Sequence, residues 1–263
     1  MKKVTFIIII VLLFALLTSC GENITPQTTR LDELKQQYDA IGVRHNEALE
    51  EIHQSYVAQR AVNNESLNYS TCIAIAEEHF DFVNVQNKYI AREITSLISN
   101  DRLFGKSSIN AEIVDVLADS LEIMAKYPQI FDSVSVILDA PITIEEKIQK
   151  LENIYLLADE QIDNEDDKES IMNGISTTIH SMTYWNDNMD DWQQTLTGSM
   201  SKPTIGLLGA LGIVDGVGAV IGTLEGIRDT YKGQDGRGTI ILGRAIGEAA
   251  KTSTYAVLAI IML

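Results

Sequence analysis

The chain has 263 residues, of which 45% are hydrophobic, and its 37 acidic and 20 basic side chains give a net charge of −17 at pH 7. Such an acidic surface repels phosphate groups, which argues against nucleic acid as a partner and against electrostatic adsorption to anionic lipids. Proline is scarce, with four residues, and long segments rich in Glu, Gln, Ala, Leu and Ile favour a mainly α-helical fold.

The first twenty residues are organised like a secretory signal. Lys2 and Lys3 precede an apolar run that is short for a membrane span, and small residues then precede Cys20. The segment Leu17-Thr18-Ser19-Cys20 resembles the lipobox of bacterial lipoproteins. This resemblance implies that residues 1–19 are removed and that Cys20 carries lipid. An uncleaved anchor helix and an ordinary signal with a coincidental cysteine are the alternatives.

Lipid on Cys20 determines where we expect the protein to be. Two or more acyl chains anchor a protein stably without a membrane-spanning helix. We therefore expect an exported protein, attached through Cys20 to a membrane of the bacterial cell envelope, with the outer membrane favoured. Cys72, the chain's other cysteine, then has no intramolecular partner, and its apolar neighbours indicate a buried thiol.

Residues 20–29 show no periodicity and are predicted to form a tether. From Arg30 to Tyr56, apolar side chains recur three or four residues apart, which predicts an amphipathic helix. Further helices are expected over about 66–99 and about 109–126, the first followed by a break near Asn100, Asp101 and Gly105 and the second stopped by Pro128.

Two helix starts carry explicit capping signals. Thr143 and Glu146 predict a capping box that opens a helix to about Ile162. Asn164 is a candidate N-cap for the next helix, whose acidic first turn suits the positive end of a helix dipole and which extends to about Leu196. We therefore predict a helical bundle body over residues 30–196.

His45 lies within the apolar stripe of the first predicted helix, in the string YDAIGVRHNEALEEIH. Together with the lipobox and the apolar C-terminus, this string resembles strings in uncharacterised bacterial envelope proteins that end in glycine-rich segments. The resemblance implies family membership and no particular activity. His45 and Asn46 are the candidate functional or packing residues. A buried histidine satisfied by a neighbour is favoured, and a catalytic histidine is the alternative.

Metal and cofactor chemistry has little support in the sequence. Glu50 and His53 form one Glu-x-x-His pair, half of what a di-iron bundle needs, and neither His79 nor His180 supplies the second half. The acid-rich stretches lack the glycine that an EF-hand requires. Hydrolase and nucleotide-binding motifs are also missing. We predict no catalytic residue, no metal and no cofactor.

Residues 197–202 combine Gly, Ser, Thr and Lys before Pro203, and predict a linker to a C-terminal module over residues 203–263. In this module glycines recur every three or four residues, and Gly218, Gly222 and Gly226 are expected to form a groove that admits another backbone. The chain then turns and returns as a second apolar segment. Its glycines, Gly243 and Gly247, are expected to face that groove in an antiparallel hairpin.

Insertion of this hairpin into a membrane would carry a free-energy cost for five ionisable residues: Asp215, Glu225, Arg244, Glu248 and Lys251. Three interpretations compete. The hairpin packs within the helical body, inserts into a membrane on cue like glycine-rich bacteriocin segments, or anchors the protein permanently.

The first interpretation is favoured and predicts a lipid-anchored, non-enzymatic interaction or structural protein. Its contacts would be the membrane through Cys20 and a protein partner or self-association through the hairpin. A membrane-active, bacteriocin-like effector is the alternative function.

Overall fold

The computed structural model describes residues 26–63, 67–79, 122–198, 205–232 and 236–262. Cys20 and the predicted signal peptide lie outside the described residues. So do most of the predicted helices over 66–99 and 109–126, together with the predicted break between them. The described part of the chain is helical and contains no strand, which confirms the mainly α fold class.

Eight helices are described, and we number them in chain order. They are α1 (Pro26–Asn63), α2 (Tyr69–His79), α3 (Glu122–Lys126), α4 (Pro128–Asp139), α5 (Ile144–Gln161), α6 (Glu165–Thr197), α7 (Ile205–Tyr231) and α8 (Arg237–Met262).

The long helices α6 and α7 form the centre of the bundle. α7 packs against α6 on one side and against α8 on the other. α1 packs against both α6 and α8, and α5 packs on α6 and α1. One continuous cluster of buried apolar residues joins these helices, and its largest members are Trp185, Trp192, Tyr56 and Tyr155. The apolar C-terminal segment is therefore packed on the body.

α7 is a described helix that is long and apolar enough to cross a membrane, judged by length and composition alone. Its apolar stretch, Leu207–Tyr231, has a mean hydropathy of 1.9 over the most apolar window, yet 89% of that window is buried inside the protein. Helices that are apolar all round belong either to a membrane or to the core of a large protein. In this structure the surrounding helices cover α7.

The capping signals read from the sequence are confirmed. Thr143 accepts a hydrogen bond from the Glu146 backbone N–H, and the Glu146 side chain accepts one from the Thr143 backbone N–H. Asn164 accepts from the Asp167 backbone N–H at 2.9 Å. Because each side chain satisfies a backbone donor that the first helical turn leaves free, both helix starts are fixed locally.

Two helix boundaries differ from the prediction. α1 begins at Pro26 rather than at Arg30, because proline is compatible with the first turn of a helix, where its missing N–H is not needed. Pro128 ends α3 as expected but also begins α4, which the sequence did not predict. The same tolerance of proline at a helix start accounts for α4.

Lys147 fixes the end of α4 against α5. Its side chain is completely buried, and its ammonium donates to the carbonyl oxygens of Ile137, Leu138 and Ala140. A cation at a helix C-terminus satisfies free carbonyls and interacts favourably with the helix dipole. The prediction that Cys72 is buried is also confirmed, and burial raises the pKa of its thiol to about 11.

Candidate functional site

His45 of α1 faces Asp215 of α7 in the centre of the bundle. The imidazole Nε2 lies 3.5 Å from the carboxyl Oδ2, and both side chains are completely buried. Asp215 is the acid that sequence reasoning counted as a cost to membrane insertion. The structure instead pairs it with the candidate histidine.

The Asp215 carboxyl joins four helices. Its Oδ2 accepts hydrogen bonds from the Ser181 hydroxyl and from Trp185 Nε1, the latter at 3.2 Å, and both donors belong to α6. Trp185 Nε1 also lies 3.2 Å from the hydroxyl of Ser253 on α8. Buried polar groups cost free energy unless they are hydrogen-bonded, so this network specifies how α1, α6, α7 and α8 pack together.

Asn46 orients the histidine from the outer side. Its Oδ1 accepts from His45 Nδ1 at 3.0 Å, and its amide nitrogen donates to the carbonyl oxygen of His180 at 3.1 Å. Gly42, one turn earlier, lets the His180 ring approach the α1 backbone. The Gly-x-x-His-Asn string therefore contains the residues that seat α1 on α6.

Burial sets the protonation of the pair. It lowers the pKa of His45 to about 4 and raises the pKa of Asp215 to about 7, since both charged forms lose hydration in the core. The Nδ1–H bond to Asn46 leaves Nε2 as the acceptor that faces the carboxyl. The neutral forms of both groups are favoured. The pair has no contact with solvent, and among the described residues His45 Nε2 has no hydrogen-bond partner.

Glu50 and His53, the two residues of the half-motif, both have partners within the protein. His53 Nε2 lies 3.0 Å from the Thr195 hydroxyl, and its ring stacks on Trp192 with centroids 5.0 Å apart. The Glu50 carboxylate lies 3.5 Å from the Tyr184 hydroxyl. Within the described ranges, no three His, Cys, Asp or Glu side chains are grouped as a metal would require.

The structure places the candidate glycines of α7 against α8. A Cβ atom added at Gly218 would lie 2.7 Å from the Ala249 Cα, and one at Gly226 would lie 2.6 Å from the Ile241 Cα. At Gly222 it would collide with the Arg244 carbonyl oxygen. Real Cβ atoms are not found so close to a backbone, so only glycine fits at these crossings.

A second set of glycines faces α6. A Cβ atom at Gly216 would collide with the Thr178 hydroxyl, and one at Gly174 of α6 would lie 2.6 Å from a Val220 methyl carbon. Glycine therefore brings the backbone of α7 close to two helices, one on each side.

The expectation for Gly243 and Gly247 is wrong. A Cβ atom at either position would meet nothing within 4 Å. Their four-residue spacing matches that of the α7 glycines, but they lie on a different face of α8. Ordinary residues such as Ile241, Ala245 and Ala249 provide the α8 side of the contact.

Apart from Asp215, the ionisable residues of the hairpin interact with one another across α7 and α8. Arg244 pairs with Asp229 at 2.8 Å. Glu248 and Lys251 are buried. Burial raises the pKa of Glu248 to about 7, Lys251 and Arg244 oppose that rise, and Glu225 adds to it. Within the fold, these contacts between opposite charges offset part of the free-energy cost of burying them.

Sequence reasoning missed four of the groups at the buried centre: Ser181, Trp185, Asp215 and Ser253. One signal was available. An acid in the middle of a continuous apolar helix and a histidine in another apolar stripe are two buried groups that each need a partner. The two serines and the tryptophan carried no such signal.

Comparisons with protein-family models, with curated proteins and with solved structures find no match for this chain.

Proposed function

We propose that this protein is a lipid-anchored component of the bacterial cell envelope that acts through interaction or scaffolding rather than catalysis. The observation that carries the proposal is the burial of α7. Its most apolar window is 89% buried by the protein's own helices. Because α7 is packed inside the body, it is not free to span a membrane. We infer that lipid on Cys20 attaches the protein to the membrane.

The geometry of the buried centre supports a non-enzymatic role. Within the described part of the chain, His45 and Asp215 are the groups best suited to acid–base work, and neither exposes any of its side chain. General acid–base catalysis requires the catalytic group to lie within hydrogen-bond reach of substrate. A sealed pair instead serves to fix the packing of four helices.

The proposal is tested by comparing three forms of the chain in a bacterial host fed labelled palmitate. We expect the natural sequence to carry label and to fractionate with membranes, and Cys20→Ser to carry none. In the third form, an ordinary cleavable secretory signal precedes Gly21, and we expect it in the soluble periplasmic fraction. Label on Cys20→Ser would contradict lipidation at this cysteine. Recovery of the Gly21 form with membranes would show that the hairpin anchors the protein.

A membrane-active effector is the second candidate, because the apolar stretch of α7 is 25 residues long and sufficient to span a bilayer. It predicts that the purified form beginning at Gly21 releases dye from lipid vesicles. The interaction protein that we favour leaves the vesicles intact, and the form without lipid is monodisperse in the absence of detergent.

A further inference from the structure

An open cleft lies on the outer side of the buried centre, between α1 and α6. Its volume is about 570 Å³. The α1 wall carries Val43, Asn46, Glu47 and Glu50, and the α6 wall includes His180 and Tyr184. The α1 residues fall on one stripe of the helix, three or four positions apart, so a single face of α1 lines the cleft.

The floor of this cleft is held in place by hydrogen bonds. Asn46 is fixed between the His45 ring and the His180 carbonyl. The Tyr184 hydroxyl accepts from Trp192 Nε1 at 3.0 Å and lies 3.5 Å from the Glu50 carboxylate. Groups whose positions are already fixed lose little entropy when a ligand binds to them.

The cleft is acidic. Among the residues that the structure describes, its lining contains the carboxylates of Glu47 and Glu50 and neither a lysine nor an arginine. His180, at the other wall, lies 3.5 Å from Asp39. Val43 adds apolar surface, with 44% of the residue exposed. An acidic cleft with an apolar edge is complementary to a cationic group on an apolar stem, which is the chemistry of arginine and lysine side chains.

The shape of the cleft favours a side chain presented by a protein over a small free amine. Small-molecule sites enclose most of their ligand, whereas this cleft is open to solvent. A polypeptide can cover the open side itself, since residues around the inserted side chain exclude water from the contact.

We propose that the α1–α6 cleft is the docking site for a basic side chain of a partner protein. This inference rests on the interaction function proposed above and gives that function a contact surface. Arginine suits the site best, because its guanidinium can donate to both glutamates while its methylene stem packs on Val43.

Both tryptophans of the chain lie beneath the cleft and can report its occupancy. Trp192 donates to the Tyr184 hydroxyl, and the rings of Tyr184 and Trp185 are 5.1 Å apart in an edge-to-face arrangement. A cation bound beside Tyr184 changes the electrostatic environment of both indoles. Intrinsic fluorescence therefore gives a signal without any added label.

The test is a fluorescence titration of the purified mature protein with a blocked tri-arginine peptide. Its control is a tri-citrulline peptide, which has nearly the same shape and no charge. We expect saturable binding of tri-arginine alone. Glu47→Gln with Glu50→Gln should weaken binding about tenfold or more, since hydrogen bonds to charged groups are the strongest of those lost.

The matched control variant is Glu145→Gln with Glu160→Gln. It removes the same charge from exposed positions of α5 and should bind like the natural protein. Melting curves show whether both double variants are folded. If Glu47→Gln with Glu50→Gln does not fold, the single variant Glu47→Gln replaces it in the titration. Equal binding of tri-citrulline or equal loss in both double variants would overturn the proposal. Tighter binding of spermidine than of tri-arginine would also do so. Failure here leaves the palmitate and fractionation results unchanged, so the two proposals fail separately.

Discussion

His45 and Asp215 connect α1 to α7 through a contact from which solvent is excluded. Each group alone would be costly in the core, because an unpaired buried polar group loses its hydration without compensation. Asn46, Ser181 and Trp185 hold the pair from the outer side and from α6. The pair therefore determines which face of α1 meets the hairpin.

This residue-scale account predicts opposite pH dependences for two variants. Asp215→Asn leaves His45 with a folded pKa below its unfolded value of about 6.5. The stability that neutral His45 contributes is therefore fully present above about pH 6.5 and is lost as the pH falls towards 4. His45→Gln leaves Asp215 with a folded pKa above its unfolded value. Its contribution is present near pH 4 and is lost as the pH rises towards 7.

At 1.36 kcal/mol per pKa unit, the free energy of unfolding should change across its window by roughly 3 kcal/mol in Asp215→Asn and roughly 4 kcal/mol in His45→Gln. In the natural protein the two slopes cancel between about pH 4 and 6.5, so the pair adds little pH dependence there. His180 is the other titratable group that acts on His45, and His180→Gln is the control. Urea unfolding at a series of pH values measures all four proteins. Slopes of the same sign in the two variants, each taken relative to the natural protein, would contradict the account that burial favours the neutral forms of both groups.

At the scale of elements, α7 is defined by close contact on two sides. Gly218, Gly222 and Gly226 face α8, while Gly212 and Gly216 face α6. Each glycine weakens an isolated helix in water by about 1 kcal/mol relative to alanine. α7 is stabilised by dispersion contacts that the short distances to neighbouring backbones allow.

Substitution of two glycines by alanine tests this arrangement. At Gly222 the new methyl group would collide with the backbone of Arg244, and we expect a loss of about 1–3 kcal/mol from overpacking. At Gly243 the methyl group meets open space, so the better helix propensity of alanine should raise stability by up to about 1 kcal/mol. Thermal unfolding of both variants gives the comparison. A stabilised Gly222→Ala would contradict the close contact with α8.

Helix starts were predictable where the signal is local. Thr143 with Glu146 and Asn164 act within one turn, so the sequence alone contains both partners of each cap. α4 was missed because Pro128 permits a helix start as readily as it enforces a stop, and the preceding sequence does not decide between them. The spacing of Gly243 and Gly247 predicted a contact with the α7 groove that does not form. Periodicity shows that two residues share one face of a helix, but it does not show which neighbouring helix that face contacts.

At the scale of the whole molecule, the hairpin and the body share one core. α6 contributes to the contact with α7 and to the contact with α1, and the Asp215 network crosses from one segment to the other. The fold class followed from composition and periodicity. The buried centre did not, because His45, Ser181, Asp215 and Ser253 are distant in sequence and are brought together only by tertiary packing.

Burial of α7 by the protein itself is the central claim, and hydrogen–deuterium exchange of the purified form beginning at Gly21 tests it most directly. The account predicts that amides of residues 205–231 are among the slowest to exchange in buffer without detergent. It also predicts that added lipid vesicles leave their exchange unchanged. Fast exchange of this segment in buffer, with protection that arises only when vesicles are present, would contradict the claim.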